Sequence, residues 1–302
     1  MQEQKTVWTI LKILDWTRQY FSSKGVENPR LDAEVLLCAV LRKSRIQLYT
    51  NFDEPLQENE LKQYRTYVAR RAAREPVAYI LGKKGFMDYE FKVTKDTLIP
   101  RPETELLVEN LIRLNREKGP RRILDIGCGS GAVIDSLLGE LPEATGMAVD
   151  ISPGAVAVTR ENAEAIGVAD RLETAVSDLF ANVPKEPKFQ VVVSNPPYIP
   201  EGDLAGLQPE VQQEPRSALD GGKDGLDFYR RILEDIWQVL DPKGMVAFEI
   251  GIHEGRQVAE LCRKAGFDCV KVCRDYGDVE RMVFAGKGDS DYGHEILEIK
   301  ER

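Results

Sequence analysis

Histidine is nearly missing from this chain, with 2 in 302 residues, and the 5 cysteines lie far apart at Cys38, Cys128, Cys262, Cys269 and Cys273. No two of them have CxxC spacing and no histidine cluster lies near any of them, so free, mostly buried thiols are expected rather than a metal site. No stretch is long and apolar enough to span a bilayer, and Met1-Gln2-Glu3-Gln4-Lys5 does not have the pattern of a signal peptide. Metal chemistry and a membrane span are therefore set aside, and a cytoplasmic protein is expected. No internal repeat is visible.

What is present is an ordinary globular composition, 42% hydrophobic and 30% charged, in a chain long enough for two domains with a substantial core. The charge is uneven. Residues 1–84 carry 15 Lys and Arg against 10 Asp and Glu, a net +5, which leaves 26 against 40, a net −14, for residues 85–302. An acidic catalytic part would repel a phosphate backbone, which argues against a nucleic-acid substrate. The basic run Arg65, Arg70, Arg71 and Arg74 pulls the other way, although a solvated helix face explains it more simply.

The chain opens with helical spacing at Val7, Ile10, Leu11, Leu14 and Phe21, and Leu31–Leu41 and Leu61–Ala73 also read as helices. Residues 1–84 thus form a small all-helical domain. Alternating aromatic and polar residues around Phe86, Tyr89 and Phe91 predict a β-hairpin linker over 85–97. Leu98 to Glu105 leads into a helix that starts near Pro102 or Thr104. Short apolar strands then alternate with helical stretches: Arg122–Ile126, Gly146–Asp150, Leu172–Val176, Phe189–Ser194 and Met245–Ile250. That alternation predicts an α/β, Rossmann-like domain over 98–286 with a mostly parallel sheet. The tail 287–302, rich in Gly, Asp, Lys and Glu, reads as mobile.

Chemistry concentrates at the strand ends. Asp125-Ile126-Gly127-Cys128-Gly129-Ser130-Gly131 has glycines at alternate positions, which suits a tight turn and close approach of a ligand to backbone at a helix N-terminus. Alone it is weak evidence, and Gly127-x-Gly129-x-x-Ala132 also fits a dinucleotide fingerprint. About twenty residues further on, Asp150 ends a strand where a carboxylate can hold both hydroxyls of a ribose, which implies an adenosine-containing cofactor. Asp178-Leu179 can border an adenine, although an Asp there also serves as a helix cap. Asn195-Pro196-Pro197-Tyr198 pairs a planar amide with two prolines and an aromatic ring. The residue before a proline is pushed to extended geometry, so the Asn195 side-chain oxygen and the Pro196 carbonyl can face one flat NH2 group, with Tyr198 covering it. A Pro-rich turn is the plain alternative.

Taken together, these motifs resemble the class I S-adenosylmethionine-dependent amino-methyltransferases. With Arg74-Glu75-Pro76, Tyr79-Ile80-Leu81-Gly82, Leu98–Glu105, Glu214-Pro215, Leu219-Asp220-Gly221-Gly222, Asp224-Gly225-Leu226, Glu249-Ile250-Gly251 and Asp275–Arg281, the chain over about residues 1–286 is similar to the HemK/PrmC family. The resemblance implies a methyltransferase acting on the glutamine side-chain amide of the Gly-Gly-Gln motif of peptide-chain release factors. It implies S-adenosylmethionine along Gly127, Cys128, Gly129, Ser130 and Gly131, its ribose on Asp150, its adenine beside Asp178 and Leu179, and Asn195 next to both cofactor and substrate. Asn195, Pro196, Pro197 and Tyr198 would hold the substrate amide, with no metal. Relatives often have a bulkier aromatic near Leu179, and the tail from Lys287 matches nothing in the family. A monomer is expected. The competing readings are a DNA or RNA exocyclic-amine methyltransferase, a nicotinamide dehydrogenase, and a non-catalytic cofactor-binding adaptor of the translation apparatus.

Overall fold

The computed structural model describes residues 7–119 and 121–299; Met1–Thr6, Pro120 and the last three residues lie outside the described residues. The chain divides into two compact units. Residues up to Gly82, joined by Pro209–Gln213, form one, and Lys83–Gln208 with Glu214 onward form the other.

The first unit holds α1 (Ile10–Ser23), α2 (Pro29–Leu41), α3 (Arg45–Thr50), α4 (Glu58–Ala72) and α5 (Val77–Leu81). Helix α1 begins where the Thr9 hydroxyl accepts the Lys12 N–H, and it buries Ile10, Ile13, Leu14, Thr17 and Phe21. Val7 and Leu11, expected on that inner face, are instead exposed. Ile13 and Thr17 complete the stripe in their place, because the 3.6-residue period turns Leu11 outward. Ser44 and Gln47 form a reciprocal capping box at α3.

The basic run on α4 is not a solvated face. Arg70 grips Glu75 through two 2.7 Å bonds. Buried Arg71 binds Asp32 and Glu210, each at 2.7 Å. Arg74 closes on both oxygens of Glu210, at 2.8 and 2.6 Å. Glu210 lies 139 residues beyond Arg71 in the chain, which is why no local pattern could pair them. Of the four arginines only Arg65 is left exposed.

The second unit opens with the antiparallel hairpin β1 (Lys83–Phe86) and β2 (Tyr89–Lys92). Rather than serving only as a link, it adds Phe86 and Phe91 to the core beneath the sheet. There follow α6 (Pro102–Asn115), β3 (Arg122–Ile126), α7 (Ala132–Glu140), β4 (Thr145–Asp150), α8 (Pro153–Ile166), β5 (Leu172–Val176) and β6 (Phe189–Ser194). The chain then runs through α9 (Asp227–Asp235), β7 (Leu240–Glu249), α10 (Gly255–Lys264), β8 (Cys269–Arg274), β9 (Glu280–Gly286) and α11 (Gly293–Leu297). The seven-stranded sheet has the order β5-β4-β3-β6-β7-β9-β8. Strands β3 to β7 are parallel, and β9 is antiparallel to both neighbours. Alternate residues serve opposite faces: Val191 and Val193 join the core with α6 and α7, whereas Val192, Val246 and Phe248 join the one with α9 and α10.

Two further features, both in the second unit, depart from expectation. The sheet is longer by β8 and β9, joined by a turn in which the Asp275 carboxylate accepts the Gly277 and Val279 N–H groups. The tail, expected to be mobile, is packed over the described residues 287–299. Tyr292, Ile296 and Ile299 are buried, and the Tyr292 hydroxyl donates to Asn115 at 2.6 Å. Three buried apolar side chains outweigh the polar composition that suggested mobility.

Candidate active site

Strand register decides which residues meet. Ile126 is paired with Val149 on one side and Ser194 on the other, Asp150 with Val176, and Ser194 with Phe248. The segments that follow, Gly127–Gly131, Asp150-Ile151, Ser177–Leu179 and Asn195–Pro197, therefore leave the sheet side by side at its carboxyl edge, where the order switches direction between β3 and β6. They wall a cavity of about 370 Å³. Among the expected residues, Gly127, Cys128, Gly129, Ser130, Asp150, Asp178, Leu179, Asn195, Pro196 and Pro197 line it, whereas Gly131 and Tyr198 do not.

The glycine loop has positive φ at Gly127 and Gly129, 74° and 56°. A Cβ at either position would meet no protein atom, so their backbone faces free space that a ligand can fill. Gly131 instead caps α7 in the left-handed conformation. The Cys128 side chain turns inward to Thr159 at 3.3 Å, leaving its backbone on the cavity. Asp150 accepts the Gly129 N–H at 3.0 Å on one oxygen and the Ser152 N–H at 2.9 Å on the other. Each oxygen keeps a further lone pair for a ligand hydroxyl. Burial raises the Asp150 carboxyl above its usual range.

Asp178 reaches the cavity, but Arg231 of α9 donates to both of its oxygens at 2.8 Å. An adenine amine would share this half-exposed carboxylate with Arg231 rather than find it waiting. Leu179 holds φ at 49°, fixed by the Ser177 hydroxyl, which donates to its carbonyl at 2.8 Å and accepts the Asn182 N–H. Apolar cover near it comes from Ile151 and, from α9, Phe228, which both line the cavity. Neither stands out in the sequence, although Ile151 directly follows Asp150.

At the other end, the Asn195 Nδ2 donates to the Thr104 hydroxyl at 3.5 Å, and Thr104 donates to Glu249 at 2.5 Å. Burial pushes the Glu249 carboxyl up to about 7. Tyr198, expected to cover a flat group, packs against the apolar cluster containing Tyr229 and Phe248. The loop that follows explains this. Ile199 donates to Leu219 and accepts from Gly221, and a Cβ on Gly221 would lie 2.7 Å from the Tyr198 Cα. The Leu219–Gly222 motif is thus a backbone clamp on Tyr198, which is not among the cavity-lining residues. Glu214 accepts the Ile99 N–H at 2.9 Å and binds Arg101, holding the Leu98–Arg101 wall.

One further group opens the glycine motif, although the motif does not by itself set its role. Asp125 is among the cavity-lining residues, one of its carboxylate oxygens is fully buried with no partner among the described residues, and burial, with the Asp150 charge, raises its carboxyl to about 7. An orphaned acidic oxygen beside open glycine backbone suits a ligand that carries a cation, and Asp150 suits one with vicinal hydroxyls. S-adenosylmethionine has both. Among the described residues, no cluster of metal-ligating side chains occurs, and no helix is long and apolar enough to cross a membrane.

Comparison with known proteins accords with this geometry. The family described as PrmC N-terminal domain matches residues 12–82, and the methyltransferase small domain matches residues 102–213. The release factor glutamine methyltransferase of Geobacter sulfurreducens is 46% identical over 285 residues, 94% of this chain and 98% of that protein. The one from Clostridium acetobutylicum is 39% identical over 259 residues, 85% of this chain and 91% of its own length. Among solved structures, the hMettl16 catalytic domain in complex with MAT2A 3'UTR hairpin 1 aligns with a TM-score of 0.55 at 16% identity, over 90% of this chain and 92% of that one. At that identity the likeness speaks for the fold alone.

Proposed function

Because the chain belongs to the release factor glutamine methyltransferase family, we propose that it moves a methyl group from S-adenosylmethionine to the side-chain amide nitrogen (N5) of the glutamine in the Gly-Gly-Gln motif of peptide-chain release factors. The observation that carries this reading is the placement of Asn195-Pro196 at one end of the cavity whose other end is built from the glycine loop and Asp150.

When bound, S-adenosylmethionine supplies a methyl group activated as a sulfonium. Open backbone at Gly127 and Gly129 accommodates its amino-acid part, Asp125 faces the ammonium, and Asp150 takes the ribose hydroxyls. Ile151 and Phe228 give the adenine apolar cover. Asn195 Oδ1 and the Pro196 carbonyl accept the two hydrogens of the glutamine amide. Amide resonance makes that nitrogen a poor nucleophile, and two fixed acceptors turn it toward the methyl group, so alignment replaces basicity. The nitrogen would gain the methyl as the donor's carbon–sulfur bond breaks, with the neutral thioether S-adenosylhomocysteine as leaving group, and would then lose a proton to solvent, so a strong base is not needed. Phe86, Leu98 and Pro100, which share the cavity wall, exclude water from the amide.

The test is incubation with labelled S-adenosylmethionine and, separately, a release factor, its Gln→Ala variant, DNA and RNA. Label confined to the intact release factor is the expected result, and label on nucleic acid overturns it. Asn195→Ala should slow methyl transfer by on the order of a hundredfold or more, with cofactor binding less affected; unchanged turnover would remove Asn195 from the mechanism.

A further inference from the structure

Asn195 can do this work only one way round. Turned by half a rotation, its amide would aim two N–H hydrogens at a substrate nitrogen that brings two of its own. Nothing in the side chain itself prefers one orientation, so its surroundings must choose.

The choice is made by Thr104, which shares the cavity wall with Asn195, and by Glu249 behind it. Ser194 pairs with Phe248 across two parallel strands, so Asn195 and Glu249 follow as neighbours. Glu249 and Thr104 are almost completely shielded, at 2% and 4% exposure. Against an ionised carboxylate a hydroxyl has to donate, because a carboxylate only accepts. The 2.5 Å bond from Thr104 to Glu249 therefore spends the hydroxyl's single hydrogen, and toward Asn195 its oxygen can only accept. An amide beside it must present Nδ2, which leaves Oδ1 for the cavity.

We infer that Glu249 and Thr104 are positioning residues that set the orientation of the Asn195 amide: Glu249 fixes the direction of the Thr104 hydroxyl, and Thr104 fixes which end of Asn195 faces the substrate. The inference rests on Asn195 accepting the substrate amide. Thr104 shares the cavity wall and Glu249 does not, and the Thr104 hydroxyl is engaged by Asn195 and Glu249, so both act through Asn195.

The arrangement has a pH consequence. Around Glu249 stand Glu103 and Thr104 from α6, Tyr229 from α9, Arg281 from β9, and Asn195 and Tyr198 after β6. Burial raises the carboxyl to about 7, helped by Glu103 and opposed by Thr104, Arg281 and Asn195. Once protonated, it can donate to Thr104, whose hydrogen is then free to meet a turned Asn195. The orientation is fixed above that pH and degenerate below it.

Single-turnover methyl transfer to a release factor by the full chain, with cofactor affinity by calorimetry, tests this. Thr104→Val should lower the transfer rate by about 10–100-fold while leaving the affinity for S-adenosylmethionine within about twofold, and Thr104→Ser should restore most of the rate. Between pH 6 and 8 the wild-type rate should rise about twofold, because the protonated form leaves about half of the Asn195 amides correctly turned. Glu249→Gln keeps an acceptor but cannot titrate, so its profile should be flat. Rates and pH profiles of Thr104→Val and Glu249→Gln that match the wild type would overturn the inference while leaving the proposed reaction intact. A wild-type protein that binds cofactor yet labels no release factor would overturn both. Should Thr104→Val fail to fold, the Thr104→Ser rate and the Glu249→Gln profile decide.

Discussion

Asparagine in place of Asp150 is close to isosteric, yet the geometry makes it a severe change. The carboxylate accepts one backbone N–H on each oxygen, from Gly129 at 3.0 Å and from Ser152 at 2.9 Å. An asparagine has a single oxygen, so its NH2 must face one of these donors, and a donor–donor contact replaces a bond. A hydrogen bond to a charged group contributes about 1.5–3 kcal/mol. The bond to a ribose hydroxyl, lost only in the bound state, accounts for about 1.5–3 kcal/mol of binding, and the broken loop bond loosens the site that the cofactor must then order. A net loss of about 3 kcal/mol weakens S-adenosylmethionine binding by about a hundredfold, at 1.4 kcal/mol per tenfold. Calorimetric titration of Asp150→Asn measures it, and hydrogen exchange at Gly129 reports the loosened loop. A dissociation constant within about fivefold of wild type, with unchanged exchange at Gly129, would refute the reasoning.

Gly225→Ala should cost about 2–3 kcal/mol, since φ is +81° and a Cβ would overlap the Tyr198 carbonyl and Glu254; a thermal melt should fall by roughly 5–10 °C, and an unchanged midpoint would count against the clamp. Ile296→Ala should destabilise the second unit by about 2–5 kcal/mol because the side chain is fully buried, whereas a mobile tail would show no effect in denaturant unfolding. Glu249 also makes stability depend on pH. Its folded value, about 7, lies above the ordinary 4.5, so its contribution is complete below about pH 4.5 and is lost as pH rises through 7. Glu249→Gln should therefore gain on the wild type by up to about 3 kcal/mol between pH 5 and 8, read from paired urea titrations; a gap that does not change with pH contradicts the burial argument.

The parallel strands β3 to β7 were legible because each is a short apolar run ended by residues that cannot continue a strand, such as Gly127 and Pro196. Strands β8 and β9 were not. Cys269–Arg274 alternates only weakly, being an edge strand with little to bury, and the turn after it stands out as a motif without revealing its backbone role. Asp150 and Asn195 are conspicuous because each closes a strand with a distinctive side chain. Thr104 and Glu249 carry no such mark: Thr104 looks like the start of a helix and Glu249 like the end of a strand. The Arg71–Glu210 pair joins residues too far apart in the chain for any local pattern to couple them.

By itself the sequence determined the order of elements, the glycine loop, and the planar-amide motif at the end of β6, all of which follow from backbone preferences and side-chain period over a few residues. Only the tertiary structure decided that Tyr198 is clamped by Gly221 and Gly225 and does not line the cavity, that Arg231 already holds Asp178, and that Asn195 is aimed through Thr104 by Glu249. Those are outcomes of strand register and of burial, where the number of donors and acceptors available in a closed space dictates which way each hydrogen bond must run.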